Sequence, residues 1–168
     1  MRVIEIAVGK DLKPVSDSWS RLADDAAPKA GEKVIVPLAR LKSGDNQIFA
    51  AAKVGVEITG GDAVEDLKPW IDDLGLVVLR FGTFKDGRMF TAARMLRQRL
   101  KFTGDIRAAG DFLPDQVVFM LRTGVSSLEV ADEFPLEAAK RSAKAYSVRY
   151  QHAVDTQPVA YEERARLP

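Results

Sequence analysis

The sequence contains no cysteine. That removes disulfides, thiolate nucleophiles, iron–sulfur ligation and thiol redox chemistry together, and it fits a reducing compartment. Histidine occurs once, at His152, so a multi-histidine zinc or iron site within one chain is excluded. A carboxylate site for magnesium or calcium stays open. No apolar stretch approaches the ~20 residues of a membrane span. Residues 1–10 are too short and, with Arg2, Glu5 and Lys10, too charged for a secretory signal. The expected location is the cytoplasm, with no membrane partner. Charge of one sign is also lacking: the formal net charge is +1, which gives no electrostatic case for nucleic acid. Neither the phosphate-loop nor the dinucleotide glycine spacing occurs, so no cofactor is evident.

What is present is an ordinary globular composition, 46% apolar and 29% charged over 168 residues. That length suits one domain able to bury roughly two-thirds of its unfolded surface. Residues 1–30 read as an irregular segment. Positions 2–8 alternate weakly, as an edge strand does, and 11–29, with Pro14 and Pro28, read as loops in which Trp19 and Leu22 pack onto the body. Regular structure fills residues 31–154. Apolar, β-branched runs predict strands at 34–38, 54–59, 76–81, 105–109 and 126–131. The run 76–81 is apolar except for Arg80, as in a strand buried on both faces of a parallel sheet. Helices are predicted at 47–53, 63–73 (with Pro69 inside), 89–100, 114–122 and 135–151. In the third of these Met89, Ala92, Ala93, Leu96 and Leu100 form an apolar stripe. Arg94, Arg97 and Lys101, with Arg99, form a basic one that reads as a solvated face or as a docking surface for an acidic partner. His152 would lie near the end of the last helix as a lone surface histidine, with Tyr146 and Tyr150 packing that helix down. Residues 155–168 read as a flexible tail.

The hexad from Gly61 to Asp66 recurs from Gly110 to Asp115, forty-nine positions later, each copy after a strand and opening a helix. Repeated strand–helix units build parallel α/β folds. About five mainly parallel strands in βα units are too few for an eight-stranded barrel, so a half-barrel is expected, with an open flavodoxin-like sheet as the alternative. A half-barrel would leave one sheet face exposed and favour a homodimer.

Ligands of such folds bind beyond the carboxyl ends of the strands. Two charged loops lie there. In the first, Lys85 and Arg88 supply positive charge and Gly87 lets the backbone approach an anion; equally, Asp86 caps the next helix as part of a tight turn. In the second, Asp111 is a candidate base or metal ligand and Gln116 a polar contact, while Asp115 sits where a helix start stabilises any carboxylate by ~0.3–1 kcal/mol. The candidate catalytic residues are therefore Asp86, Asp111 and Asp115. The candidate ligand contacts are Lys85, Gly87, Arg88, Arg107 and Gln116. Arg80 and Arg107, in predicted strands, must pair with Asp86, Asp105, Asp111 or Glu129, or else line a polar site on the sheet.

The phenylalanine Phe84, the turn Asp86-Gly87-Arg88, the pair Ala93-Arg94, the strand end from Gly104 to Asp111 and the pair Asp115-Gln116 resemble, in order and spacing, the uncharacterised bacterial family known as domain of unknown function 934. The resemblance covers roughly residues 34–154. It departs at Arg80, Gly82 and Met89, where the family usually has Glu, Pro and Gly. Members of that family are commonly encoded beside sulfite-reductase and sulfate-assimilation genes, and some are labelled oxidoreductases of sulfite reduction. The resemblance thus implies an accessory or small-anion or nucleotide-binding protein of sulfur assimilation, with a sulfite-reductase component as a partner. A carboxylate-based acid–base or magnesium-assisted enzyme, and a structural subunit docking through its basic helix, are the competing readings.

Overall fold

The computed structural model describes residues 1–7, 11–24, 26–45, 47–146, 148–155 and 157–165. The end of the expected strand 2–8 and the last three residues of the expected tail lie outside these. Five parallel strands form the body: β4 (Lys33–Pro37), β5 (Lys53–Ile58), β6 (Leu74–Phe81), β7 (Asp105–Gly110) and β8 (Ser127–Val130). They match the five expected strands closely. The N-terminal segment adds three more, β1 (Arg2–Glu5), β2 (Lys13–Val15) and β3 (Ser20–Arg21). The sheet runs β2-β1-β8-β7-β6-β5-β4-β3, with β1 antiparallel to both β8 and β2. The chain thus begins at one edge and crosses to the other before winding back strand by strand. β2 and β3 carry no apolar periodicity, because they are two to three residues long and exposed. Their neighbours, not their own side chains, set their pairing.

The two sheet edges are joined by the short link from Val15 to Ser20. Those five steps span at most about 18 Å, whereas eight flat strands would be about 34 Å across. The sheet must therefore curl. Arg21 on β3 also reaches Glu129 on β8, at 2.9 Å, across what would be five strand spacings. The architecture is a curled, mostly parallel half-barrel.

Side chains alternate across the sheet. Outward-facing Val34, Val36, Val56, Ile58, Val77, Leu79, Ile106, Ala108 and Leu128 are buried beneath a single helical layer. That layer comprises α1 (Leu38–Lys42), α2 (Ile48–Ala51), α3 (Arg88–Gln98), α4 (Val117–Thr123) and α5 (Leu136–Ala143), with 3-10 turns at Val64–Trp70 and Pro114–Gln116. All five helices contribute to the same apolar cluster. A flavodoxin-like sheet would carry helices on both faces, so the half-barrel reading stands over its alternative. The two copies of the repeated hexad occupy equivalent places, each entering a 3-10 turn after a strand.

The inner face is smaller and mixed: Ile35, Leu76, Val78 and Ala109 pack with Trp19. Trp19 fits where two side chains are missing. A Cβ on Gly55 or Gly75 would lie 3.2 or 3.1 Å from its ring. The expected exposed sheet face is thus covered by residues 16–21 of the chain itself, which removes the reason given for pairing two copies.

Three helical expectations change. Of the helix expected over 63–73, Val64–Trp70 is a 3-10 turn with Pro69, which has no N–H to donate to an α-helical bond, inside it. The helix predicted over 135–151 stops at Ala143. Beyond it Tyr146, Val148 and Tyr150 alternate at period two, which is strand-like, and Arg149 bridges in parallel to Val159. Tyr146 and Tyr150 are consequently exposed rather than packing a helix down. His152 is on the surface as expected, though not near the end of that helix. Its Nε2 lies 2.9 Å from the Tyr161 hydroxyl and 3.2 Å from Glu162, both on α6 (Ala160–Ala165), inside the expected tail. Among the described residues no helix is long and apolar enough to cross a membrane.

Candidate functional site

The carboxyl ends of β6 and β7 carry the two charged loops, and the backbone brings them together. Gly110 ends β7 at φ +98, and a Cβ there would fall 2.2 Å from the Phe81 carbonyl oxygen. Only glycine allows this approach, after which the Asp111 N–H donates to Phe81 O at 3.0 Å. Phe84 N then donates to Asp111 Oδ2 at 3.4 Å. The Gln116 amide is used at both ends: it donates to Phe84 O at 2.8 Å and accepts from Leu113 N at 3.0 Å. Gln116 is therefore a brace between the loops.

Asp86 and Arg88 are occupied with each other. Asp86 accepts from the Arg88 backbone N–H at 3.1 Å and from its guanidinium at 2.6–3.0 Å. Arg88 also donates to Gly60 O at 2.5 Å, tying this turn to the loop after β5. The hydrogen bonds from Arg88 hold the Asp86 carboxyl down to about 2. A group that acidic stays ionised at neutral pH and is a poor general base. Gly87 precedes α3 with φ −81, an ordinary conformation for any residue. Lys85 is exposed, its ammonium 5.6 Å from the Phe84 ring centroid. Asp115 is exposed, and its backbone carbonyl accepts from the Ser142 hydroxyl at 2.9 Å. The structure thus gathers Lys85, Asp86, Gly87, Arg88, Asp111 and Gln116 along one rim. It places Arg107 elsewhere.

Arg107 lies on the inner face of β7, is 3% exposed, and donates to both carboxylate oxygens of Asp17 at 2.9 and 3.1 Å. Glu129 is 3.9 Å away. Arg80 donates to Glu57 at 2.5 and 2.9 Å. Arg21 joins the two pairs, holding Glu57 at 3.0 Å and Glu129 at 2.9 Å. Three arginines and three carboxylates therefore form a charge-balanced lattice within the half-barrel. Of the partners foreseen for Arg80 and Arg107, Glu129 is the one the structure supplies; Asp17 and Glu57 replace the rest. Burial pushes the Glu57 carboxyl up, but hydrogen bonds from Arg80 and Arg21 outweigh it and leave the group below its ordinary value. The same bond raises Arg80. Sequence reading missed Arg21, Asp17 and Glu57. One signal was available: Glu57, Arg80, Arg107 and Glu129 each interrupt an apolar strand, the mark of a polar inner face.

Two clefts open onto this interior, one of about 200 Å³ beside Arg21 and Glu57 and one of about 250 Å³ beside Asp17 and Arg107. Both fall below the ~300–1,000 Å³ usual for small-molecule sites. Among the described residues no cluster of three or more histidines and carboxylates is placed to hold a metal ion.

The basic stripe of α3 is also partly structural. Arg97 is not solvated: it donates to the carbonyls of Gly124, Phe102 and Gly104 at 2.7–3.0 Å, fastening the end of α3 to the starts of β7 and β8. Its burial lowers its pKa. Arg94 and Arg99 remain exposed.

A family model described as a bacterial protein of unknown function, DUF934, matches residues 55–161, from β5 into α6. The chain belongs to that family. No curated protein matches it. In this DUF934 protein the matched residues include both rim loops, Arg80, Arg107 and Glu129. Asp17, Trp19 and Arg21, which close the inner face, precede them.

Proposed function

We propose that this DUF934 protein is a non-catalytic accessory component of sulfite reduction, acting by binding a reductase component. The observation that carries the reading is the commitment of Asp86 and of the arginines among the candidate residues to partners within the fold. Asp86 is neutralised by Arg88, and Arg80, Arg107 and Arg21 are each matched by carboxylates within the fold. The absence of cysteine removes thiol and cluster chemistry from the chain itself. The link to sulfite reduction is the one implied by the family resemblance. A small oxyanion or nucleotide at the rim is less well supported, because it would have to displace Asp86 from Arg88, and Arg107 lies behind the Asp17 segment.

The test is a sedimentation titration of the purified protein against purified sulfite-reductase components, alongside thermal shifts with sulfate, sulfite, adenylyl sulfate and magnesium. The expected result is a stoichiometric complex with one component and no turnover by the protein alone. Turnover by the protein alone that Asp111→Asn abolishes, or no complex with any component, would overturn the reading.

A further inference from the structure

α4 turns Phe119 outward, 56% exposed, although its neighbour Val118 is buried. Opposite stand Tyr146, Val148 and Tyr150, at 65%, 44% and 86% exposure. Between them runs a groove of about 240 Å³ floored by Val118 and flanked by Arg122 and Arg149. A monomer gains nothing by leaving three aromatic rings in water side by side; such a patch, rimmed by arginine, has the composition of a protein-binding hot spot. The volume suits one or two side chains rather than a cofactor.

The groove is also preformed. Phe119 stands edge-to-face on Phe90, whose ring meets Phe81 in the same manner, and the contacts continue to Phe112 and Phe134. That chain of rings, anchored at the end of β6, holds Phe119 in one orientation. Arg122 is fixed by donating to Gln151 O at 2.6 Å, and the Arg149 guanidinium lies 5.8 Å from the Tyr146 ring centroid. The Nε of each arginine is enclosed without a hydrogen-bond partner.

Charge selects the occupant. The groove lining includes two cations and no acid. Asp155 approaches Arg122 at 4.0 Å but is not part of the lining, its side chain being 2% exposed. We propose that this groove docks an acidic protein segment bearing an aromatic anchor: the anchor seats on Val118 and Phe119, and flanking carboxylates meet Arg122 and Arg149. This rests on the accessory reading and gives it a surface.

The experiment uses the full chain and a fluorescence-anisotropy array of short peptides with one Trp or Phe flanked by Glu and Asp, each matched by a copy with Lys in place of the acids. Acidic members should bind saturably and more weakly as salt rises, and lysine copies should not. Phe119→Ala and Arg149→Ala should each weaken binding about tenfold or more, while Arg94→Ala on α3 leaves it unchanged. Phe119 and Arg94 are surface residues, and circular dichroism of each variant checks the fold. The proposal is overturned if acidic peptides bind no better than lysine copies, or if Phe119→Ala and Arg149→Ala bind as the parent does. It is likewise overturned if the groove is filled by a second copy, seen as a dimer that Phe119→Ala dissociates. A reductase component that binds parent and Phe119→Ala equally defeats the groove and keeps the accessory reading. Peptide binding at the groove without any reductase complex does the reverse.

Discussion

The two faces of the sheet are held by different physics. The outer face is an apolar layer under helices, where Val77, Leu79, Ile106 and Leu128 are fully buried. The inner face is closed without helices, by Trp19 on two glycines and by an arginine–carboxylate lattice. Apolar burial is roughly additive and tolerant of detail. An ionic lattice whose centre, Arg107 and Glu129, is buried is less forgiving: those two charges are acceptable only while their partners stay. The inner face therefore looks like a polar site in sequence, while in the structure its charges are paired with one another.

Several substitutions sharpen that contrast. Glu129→Ala should cost up to about 3–5 kcal/mol, because it removes the carboxylate that links Arg21 to buried Arg107 and leaves Asp17 as the one partner of Arg107; urea unfolding measures it. Leu79→Ala on the outer face should cost about 2–5 kcal/mol through the cavity it leaves, and no second substitution of charge will rescue it. Gly75→Ala should cost about 1–3 kcal/mol by crowding Trp19. Red-shifted tryptophan emission would accompany it, while unshifted emission would place Trp19 elsewhere.

Acid should weaken the inner face. Glu57 has a folded pKa below its ordinary 4.5. Its contribution is therefore complete above pH 4.5 and is lost as pH falls through the lower folded value. Glu57→Gln should be less stable than the parent at neutral pH and converge on it in acid; a constant difference would contradict the lattice. The smallest effect is expected at the rim. Asp86→Asn removes a pairing between exposed groups, and such pairs contribute little, so the melting temperature should barely move.

The body of the fold was legible because its strands and helices carry their own periodicity. The five parallel strands are mainly apolar, each of four broken by one charged residue, and the α3 stripe of Met89, Ala92, Ala93 and Leu96 is the buried one. The closure was not legible. β2 and β3 have no pattern of their own, and the seat for Trp19 is made of absent side chains at Gly55 and Gly75. The rim was legible as a place. Its chemistry was not, because whether Asp86 is a base or a partner for Arg88 depends on geometry two residues away. Tyr146 and Tyr150 stand at helical spacing, but with Val148 they also alternate at period two, and the bridge from Arg149 to Val159 decides between the two.

The most direct measurement is equilibrium urea unfolding of Arg107→Met, alone and combined with Asp17→Leu. If the inner face is a closure, Arg107→Met loses about 3–5 kcal/mol and the double variant regains most of it. If Arg107→Met is as stable as the parent or more so, the arginine is held for a ligand, and the account of the inner face is wrong.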